Sequence, residues 1–145
     1  MKKIKETNDY RRLSAFYQEN GLEIEVSETA PEGTLKNWKC EDEGTKELLA
    51  AATLQKRDGC YVLGDLAVTE AFRGTGMGKA LLRIVEDEAK SLGAKEMWLV
   101  GKVPEFYKKF DWTEVQRETA PDISRCQSCE DFGITCFPSI MKKSF

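Results

Sequence analysis

The sequence predicts one α/β domain of the α+β type, spanning residues 1–145, in which helices flank a mixed, mostly antiparallel twisted sheet. Three observations predict it. The early apolar segments are separated by turn signals rather than by helical crossovers. A single long amphipathic stripe, Met77–Leu92, follows them. Short apolar runs then resume to the C-terminus. With 145 residues, 41% of them hydrophobic, the chain is long enough for one packed core and too apolar for a disordered tail.

In order along the chain, Ile4–Glu6 reads as a short first strand. Asn8 or Thr7 is placed to cap a helix whose Leu13, Phe16 and Tyr17 follow i, i+3, i+4 spacing, and Asn20-Gly21 stops it. Leu22–Gly33 carries Pro31 and no clear period, so it reads as a loop. Leu35–Cys40 is a strand candidate, with Glu41-Asp42-Glu43-Gly44 as its turn. Glu47–Gln55 and Cys60–Val68 are two more, joined by Arg57-Asp58-Gly59, where Asp-Gly signals a hairpin. After the glycine-rich Thr69–Gly78, the stripe of Leu81, Leu82, Val85 and Ala89 predicts a helix that Gly93 closes. Met97–Val100 is a short strand, Pro104 suits the first turn of a helix through Phe110, and Trp112–Val115 and Thr135–Phe145 are the last strands.

Composition excludes several classes. The 22 basic and 25 acidic residues leave a formal charge of −3, without the excess of cations that a nucleic-acid binder uses to neutralise phosphates. The longest apolar run, Leu48–Leu54, is broken by Thr53 and falls far short of the ~20 residues a membrane span needs. No secretory pattern follows Met1, so a cytoplasmic location is expected, with neither nucleic acid nor membrane as partner. Five cysteines are too odd a count for a disulfide framework. The absence of histidine removes Ser-His-Asp and Cys-His nucleophiles and any His-ligated metal. Acid–base work falls to Asp, Glu, Tyr, Cys, Lys or water.

The chemistry concentrates between Gly64 and Ala80. A strand ends at Val68, and the loop Arg73-Gly74-Thr75-Gly76-Met77-Gly78 leads into a helix beginning Lys79-Ala80. Glycines at alternate positions let successive N–H groups point inward together, and a helix N-terminus adds unpaired donors and a partial positive charge. That combination suits a pyrophosphate. The spacing is neither a Walker A loop, which needs four residues between glycines and a Ser or Thr after the lysine, nor the G-x-G-x-x-G of a dinucleotide fold. The competing reading is a helix start that needs glycines only to turn.

The segment Arg73–Gly78 matches every fixed position of [RQ]-x-x-G-x-[GA], so the sequence resembles the GNAT superfamily of N-acetyltransferases. Leu66-Ala67-Val68 resembles that family's fourth strand, and Phe106-Tyr107-Lys108-Lys109-Phe110-Asp111-Trp112 its later F-Y-x-K-x-G-F signature. The likeness covers about residues 34–116. It implies a sheet splayed between the fourth and fifth strands, leaving backbone at Leu66, Ala67 and Val68 to pair with the pantetheine arm of acetyl-CoA. Arg73, Gly74, Thr75, Gly76, Met77, Gly78, Lys79 and Ala80 then hold the pyrophosphate. The implied reaction is direct attack of a primary amine on the thioester. Tyr107 sits where the family often has a tyrosine that serves the departing sulfur, its alternative being a core aromatic beside Phe106 and Phe110. Asp65 and Glu70 are the candidate bases, with a water relay as a third route; a solvated or helix-facing carboxylate is the alternative for Asp65. Asp111 departs from the family's usual glycine, no asparagine lies between Val100 and Pro104, and the loop Leu22–Gly33 replaces what is often a helix lining the acceptor site. A homodimer through the last strand is a further expectation of the resemblance.

Cys126, Cys129 and Cys136 are spaced C-x2-C-x6-C. They are candidate zinc ligands with Cys40 or Cys60 as a fourth, a redox pair, or buried structural thiols. Two functions compete with the transferase: a non-catalytic acyl-CoA-binding sensor with this cysteine element, and a zinc-bearing interaction domain. The acceptor stays open among small-molecule and peptide amines.

Overall fold

The computed structural model describes residues 4–22, 25–57, 59–101, 104–116 and 139–145. The elements are β1 (Ile4–Glu6), α1 (Tyr10–Glu19), β2 (Thr34–Glu41), β3 (Leu48–Arg57), β4 (Cys60–Val68), a 3-10 turn (Glu70–Phe72), α2 (Met77–Ser91), β5 (Glu96–Gly101), α3 (Pro104–Lys108), β6 (Thr113–Val115) and β7 (Ser139–Ser144). The order β-α-β-β-β-α-β-α-β-β is the one the sequence predicts, with ends shifted by one or two residues. The last strand is the exception: its described part begins at Ser139, and 135–138 lie outside the described residues.

The strands form one sheet in the order β1-β2-β3-β4-β5-β7-β6. Every neighbouring pair is antiparallel except β4 and β5, which run parallel. Alternation along the strands sends Trp38, Ala52, Leu54, Leu63, Leu99 and Met141 to one face, where Leu81, Leu82, Val85 and Ala89 of α2 cover them. The side chains at Leu81 and Val85 are fully buried, each contributing about 1.5–3 kcal/mol relative to exposure. On the opposite face Tyr10, Leu13, Phe16 and Tyr17 of α1 lie over Ala51 and Ala67. Ala50, Ala51 and Ala52 are fully buried, and their small side chains allow helices to approach β3 from both sides.

The cap of α1 differs from expectation. Asp9, not Asn8 or Thr7, is the capping residue, its Oδ1 accepting from Arg12 N at 3.3 Å. Thr7 acts one step earlier, its hydroxyl accepting from Asp9 N at 3.2 Å. The loop after α1 is pinned rather than helical: Ser27 N donates to Ser14 Oγ at 2.9 Å, and Leu22 and Ala30 pack on the α1 cluster.

Candidate active site

The splay has a local cause in β4. Thr53 pairs with Asp65 and Leu54 with Leu63, so Gly64 is an extra residue that bulges the strand. A Cβ at Gly64 would lie 2.5 Å from the buried Gln55 side chain, which is why the bulge carries glycine. On its other edge β4 pairs with β5 only at Val62↔Trp98 and Leu63↔Leu99. Beyond Leu63 the two strands part. The stretch Gly64–Val68, with Leu66, Ala67 and Val68 at its end, therefore has no β5 partner among the described residues.

The glycine loop lies where β4 ends. Gly74 (φ 81°) and Gly76 (φ 88°) adopt left-handed backbone, and Gly76 is the N-cap of α2 with no side-chain cap. Two bonds hold the loop in shape: Thr75 Oγ1 donates to Phe72 O at 2.6 Å, and Arg73 Nε donates to Val68 O at 3.1 Å. The Arg73 guanidinium is thus turned back onto β4. Backbone N–H groups at the two ends of the segment are already used, Arg73 N to Glu70 O at 3.3 Å and Ala80 N to Gly76 O at 3.0 Å. Between them, the amides of Gly74 through Lys79 find no main-chain acceptor among the described residues. The open donor set is therefore narrower than the Arg73–Ala80 range by one residue at each end. Lys79 sends its ammonium over the Phe110 ring, 5.9 Å from the centroid.

Tyr107 comes from α3 on the far side of the opening. It is 7% exposed, edge-on to Phe106 (5.1 Å, 87°) and to Trp112 (6.1 Å, 64°). Burial, and after it the nearby Asp65 carboxylate, raises its phenol well above the usual tyrosine value. Asp65 is buried on the α1 face of β4, opposite Thr53. The alternation that put it on the opposite face from Leu66 is observed, since Leu66 packs against the α2 core. Asp65 is near enough to bear on the Tyr107 phenol electrostatically, although Tyr107 packs in the α2-side cluster and Asp65 on the α1 face. Glu70 is not with them: it is exposed in the 3-10 turn at the loop's entrance.

A second phenol shares this region. Tyr17 is fully buried, and burial followed by Asp65 raises it well above its ordinary value. Thr53 Oγ1 donates to Asn37 Oδ1 at 2.9 Å, so the 2.8 Å contact with Tyr17 has the phenol as donor. Two tyrosines therefore keep their protons in the native state at a pH where the unfolded chain, titrating near 10, has lost them. Their stabilising contribution is complete below about pH 10 and disappears as pH rises further. Melting temperature should fall steeply above about pH 10, and Tyr17→Phe should flatten that fall; a Tyr17→Phe profile parallel to wild type would contradict it.

The turn after α3 explains a departure noted in the sequence. Asp111, at the family's usual glycine, has φ 71°, and the turn brings Trp112 N within 3.3 Å of Tyr107 O. Asp tolerates left-handed backbone better than most residues. Asp111→Val should cost about 1–2 kcal/mol in denaturant unfolding, and Asp111→Gly less than about 1. Equal effects from the two variants would mean the backbone angle is not what selects the residue.

Glu86 was missed by sequence reasoning. It lies outside the apolar stripe that predicts α2 yet is buried, accepting from Trp112 Nε1 at 3.1 Å and from Lys143 Nζ at 2.7 Å. Cys126, Cys129 and Cys136 lie outside the described residues. Among the described residues no three His, Cys, Asp or Glu side chains are grouped to hold a metal, and no helix is long and apolar enough to cross a membrane.

Residues 5–112 match the acetyltransferase (GNAT) family. Solved structures share the fold at low identity. An N-acetylglutamate synthase from Neisseria gonorrhoeae, complexed with coenzyme A and N-acetyl-glutamate, superposes with a TM-score of 0.78 at 18% identity over 99% of this chain. The chain spans only 35% of that synthase. The ribosomal-protein-S18-alanine N-acetyltransferase from Escherichia coli gives 0.70 at 22% identity, covering 99% of this chain and 94% of that one. A GNAT-family acetyltransferase from Staphylococcus aureus Mu50 gives 0.67 at 15% identity, with 99% of each chain covered.

Proposed function

Because this chain belongs to the acetyltransferase (GNAT) family, we propose that it moves the acetyl group of acetyl-CoA to a primary amine by direct attack, without an acyl-enzyme. The single observation that carries this reading is the row of amides from Gly74 to Lys79 with no main-chain acceptor among the described residues, lying beside a strand edge that β5 has left. A diphosphate accepts several N–H bonds at once, and a helix N-terminus favours its charge. The edge of β4 suits an extended arm with amides of its own, such as pantetheine.

Two proton problems then define the roles. The acceptor arrives as an ammonium and must lose a proton to attack. We assign that proton to Asp65, directly or through one water, because it is a buried carboxylate on the bulged strand beside the opening. Glu70, exposed outside the opening, is the weaker candidate. Attack forms the C–N bond and leaves one surplus proton on nitrogen, which goes to solvent by the same route. The C–S bond then breaks. Burial has lifted the Tyr107 phenol far above the ~8.5 of a thiol, so full transfer to the thiolate is uphill. Its supported task is to donate a hydrogen bond to sulfur as charge develops there, and the coenzyme takes up its proton after release.

Free coenzyme A released from acetyl-CoA in the presence of a panel of amines tests the reading. Binding of acetyl-CoA with no release above the amine-free rate, across small amines, amino acids and peptides, would reassign the chain to a sensor. Absence of binding would reject the coenzyme reading altogether.

A further inference from the structure

We propose that Glu86 is a positioning residue for Tyr107, acting through the indole of Trp112, and that it clasps α2 to the turn behind the helix that carries the phenol, with Lys143 of β7 holding its other oxygen. The inference rests on the proposed role of Tyr107 at the departing sulfur.

The geometry of the clasp is specific. Glu86 is 5% exposed, and each carboxylate oxygen has its own donor: Trp112 Nε1 on Oε2 and Lys143 Nζ on Oε1. Its neighbours on α2, Leu82, Val85 and Ala89, are core residues. Replacing a whole buried ion pair by packed hydrocarbon is commonly neutral or stabilising, whereas removing the carboxylate alone leaves Lys143 and the Trp112 N–H without their acceptor. Stability alone therefore does not call for an ion pair here.

What the carboxylate adds is direction. Its bond to Nε1 fixes the rotation of the Trp112 ring, and that ring meets Tyr107 edge-on, at 6.1 Å between centroids. Tyr107 needs such a wall. Its helix has five residues, too short to be rigid by its own hydrogen bonds. The other walls of the phenol are Phe106, edge-on at 5.1 Å, and Gly101, where an added Cβ would stand 3.4 Å from the ring. Phe106 in turn abuts α2, since a Cβ at Gly78 would lie 3.0 Å from its Cζ. The phenol is thus registered against α2 twice: through Phe106 at the coenzyme loop, and through Trp112 two turns further on.

A double-mutant cycle separates positioning from packing. Trp112→Phe keeps a ring and deletes the Nε1 donor. It should lower kcat about tenfold and leave KM for acetyl-CoA within about twofold, because the loop is untouched. In a Tyr107→Phe background the same change should cost nothing more, since there is no hydroxyl left to aim. Glu86→Leu should reproduce the kcat loss, and Glu86→Gln, whose amide oxygen still accepts from Trp112, should recover most of it. If Trp112→Phe turns over like wild type, or its loss adds in full to that of Tyr107→Phe, the positioning role is wrong while the sulfur-side role stands. If Tyr107→Phe alone keeps wild-type turnover, the sulfur-side role fails and the clasp proposal falls with it.

Discussion

A Gly76→Trp variant is expected to lose acetyl-CoA binding by at least a factor of about 10² while remaining folded. Gly76 has φ 88°, and a non-glycine residue there costs about 1–2 kcal/mol of backbone strain. Among the described residues no heavy atom lies within 4 Å of an added Cβ, so the side chain has open space to enter and the core is not disturbed. That open space lies at the N-cap of α2, among the amides of Gly74 to Lys79. An indole there excludes the diphosphate and denies it at least two charge-assisted hydrogen bonds, each worth about 1.5–3 kcal/mol. Their sum, about 3–6 kcal/mol, is a loss of roughly 10²–10⁴ in affinity. Calorimetric titration with acetyl-CoA measures it, with the far-ultraviolet circular dichroism and melting temperature of the variant as the check on folding. Affinity within threefold of wild type would remove the loop from the binding site.

The Tyr107→Phe substitution is expected to lower kcat about 10²-fold, the size found when one donor to a developing anion is removed, with KM for acetyl-CoA almost unchanged. The ring stays, so its edge contacts with Phe106 and Trp112 persist and the fold should be indifferent. The raised phenol adds a pH signature. Since Tyr107 holds its proton throughout the physiological range, wild-type turnover should show no alkaline decline from this group below about pH 10. Thiol release followed at saturating acceptor gives both quantities. A variant with undiminished kcat, or a wild-type profile whose decline near pH 8 vanishes in Tyr107→Phe, would exclude the assignment.

How far the fold and site could be read in the sequence depended on whether the signal was local. The α2 stripe, the Arg73–Gly78 spacing and the Asn20-Gly21 stop are local, and the structure has each where the residues put it. The bulge at Gly64 is not legible in the sequence, because a register shift is a property of two strands, and Gly64 alone reads as one glycine in an apolar run. Glu86 was hidden for a similar reason. On the helix wheel it looks solvated, and it is buried only because Lys143, 57 positions later, and Trp112 converge on it. Asp65 was legible as a carboxylate at the right height on its strand, but its electrostatic reach to Tyr107 was not, since β5 and part of α3 lie between the two in the chain. The α1 cap was misjudged within a run of three capable residues, Thr7, Asn8 and Asp9, where only the backbone angle decides.

Strands β1 to β4 form one antiparallel leaf and β5, β7 and β6 another, and two residue pairs stitch the leaves together. A seam so short is the compliant line of an otherwise stiff sheet, crossed on one face by α2. A ligand laid along it acts as mortar, bonded to the loop at one end and to the strand edge along its length. Saturation with acetyl-CoA therefore tightens the whole molecule: amide hydrogen exchange should slow in both leaves together, on either bank of the seam, and not at the glycine loop alone.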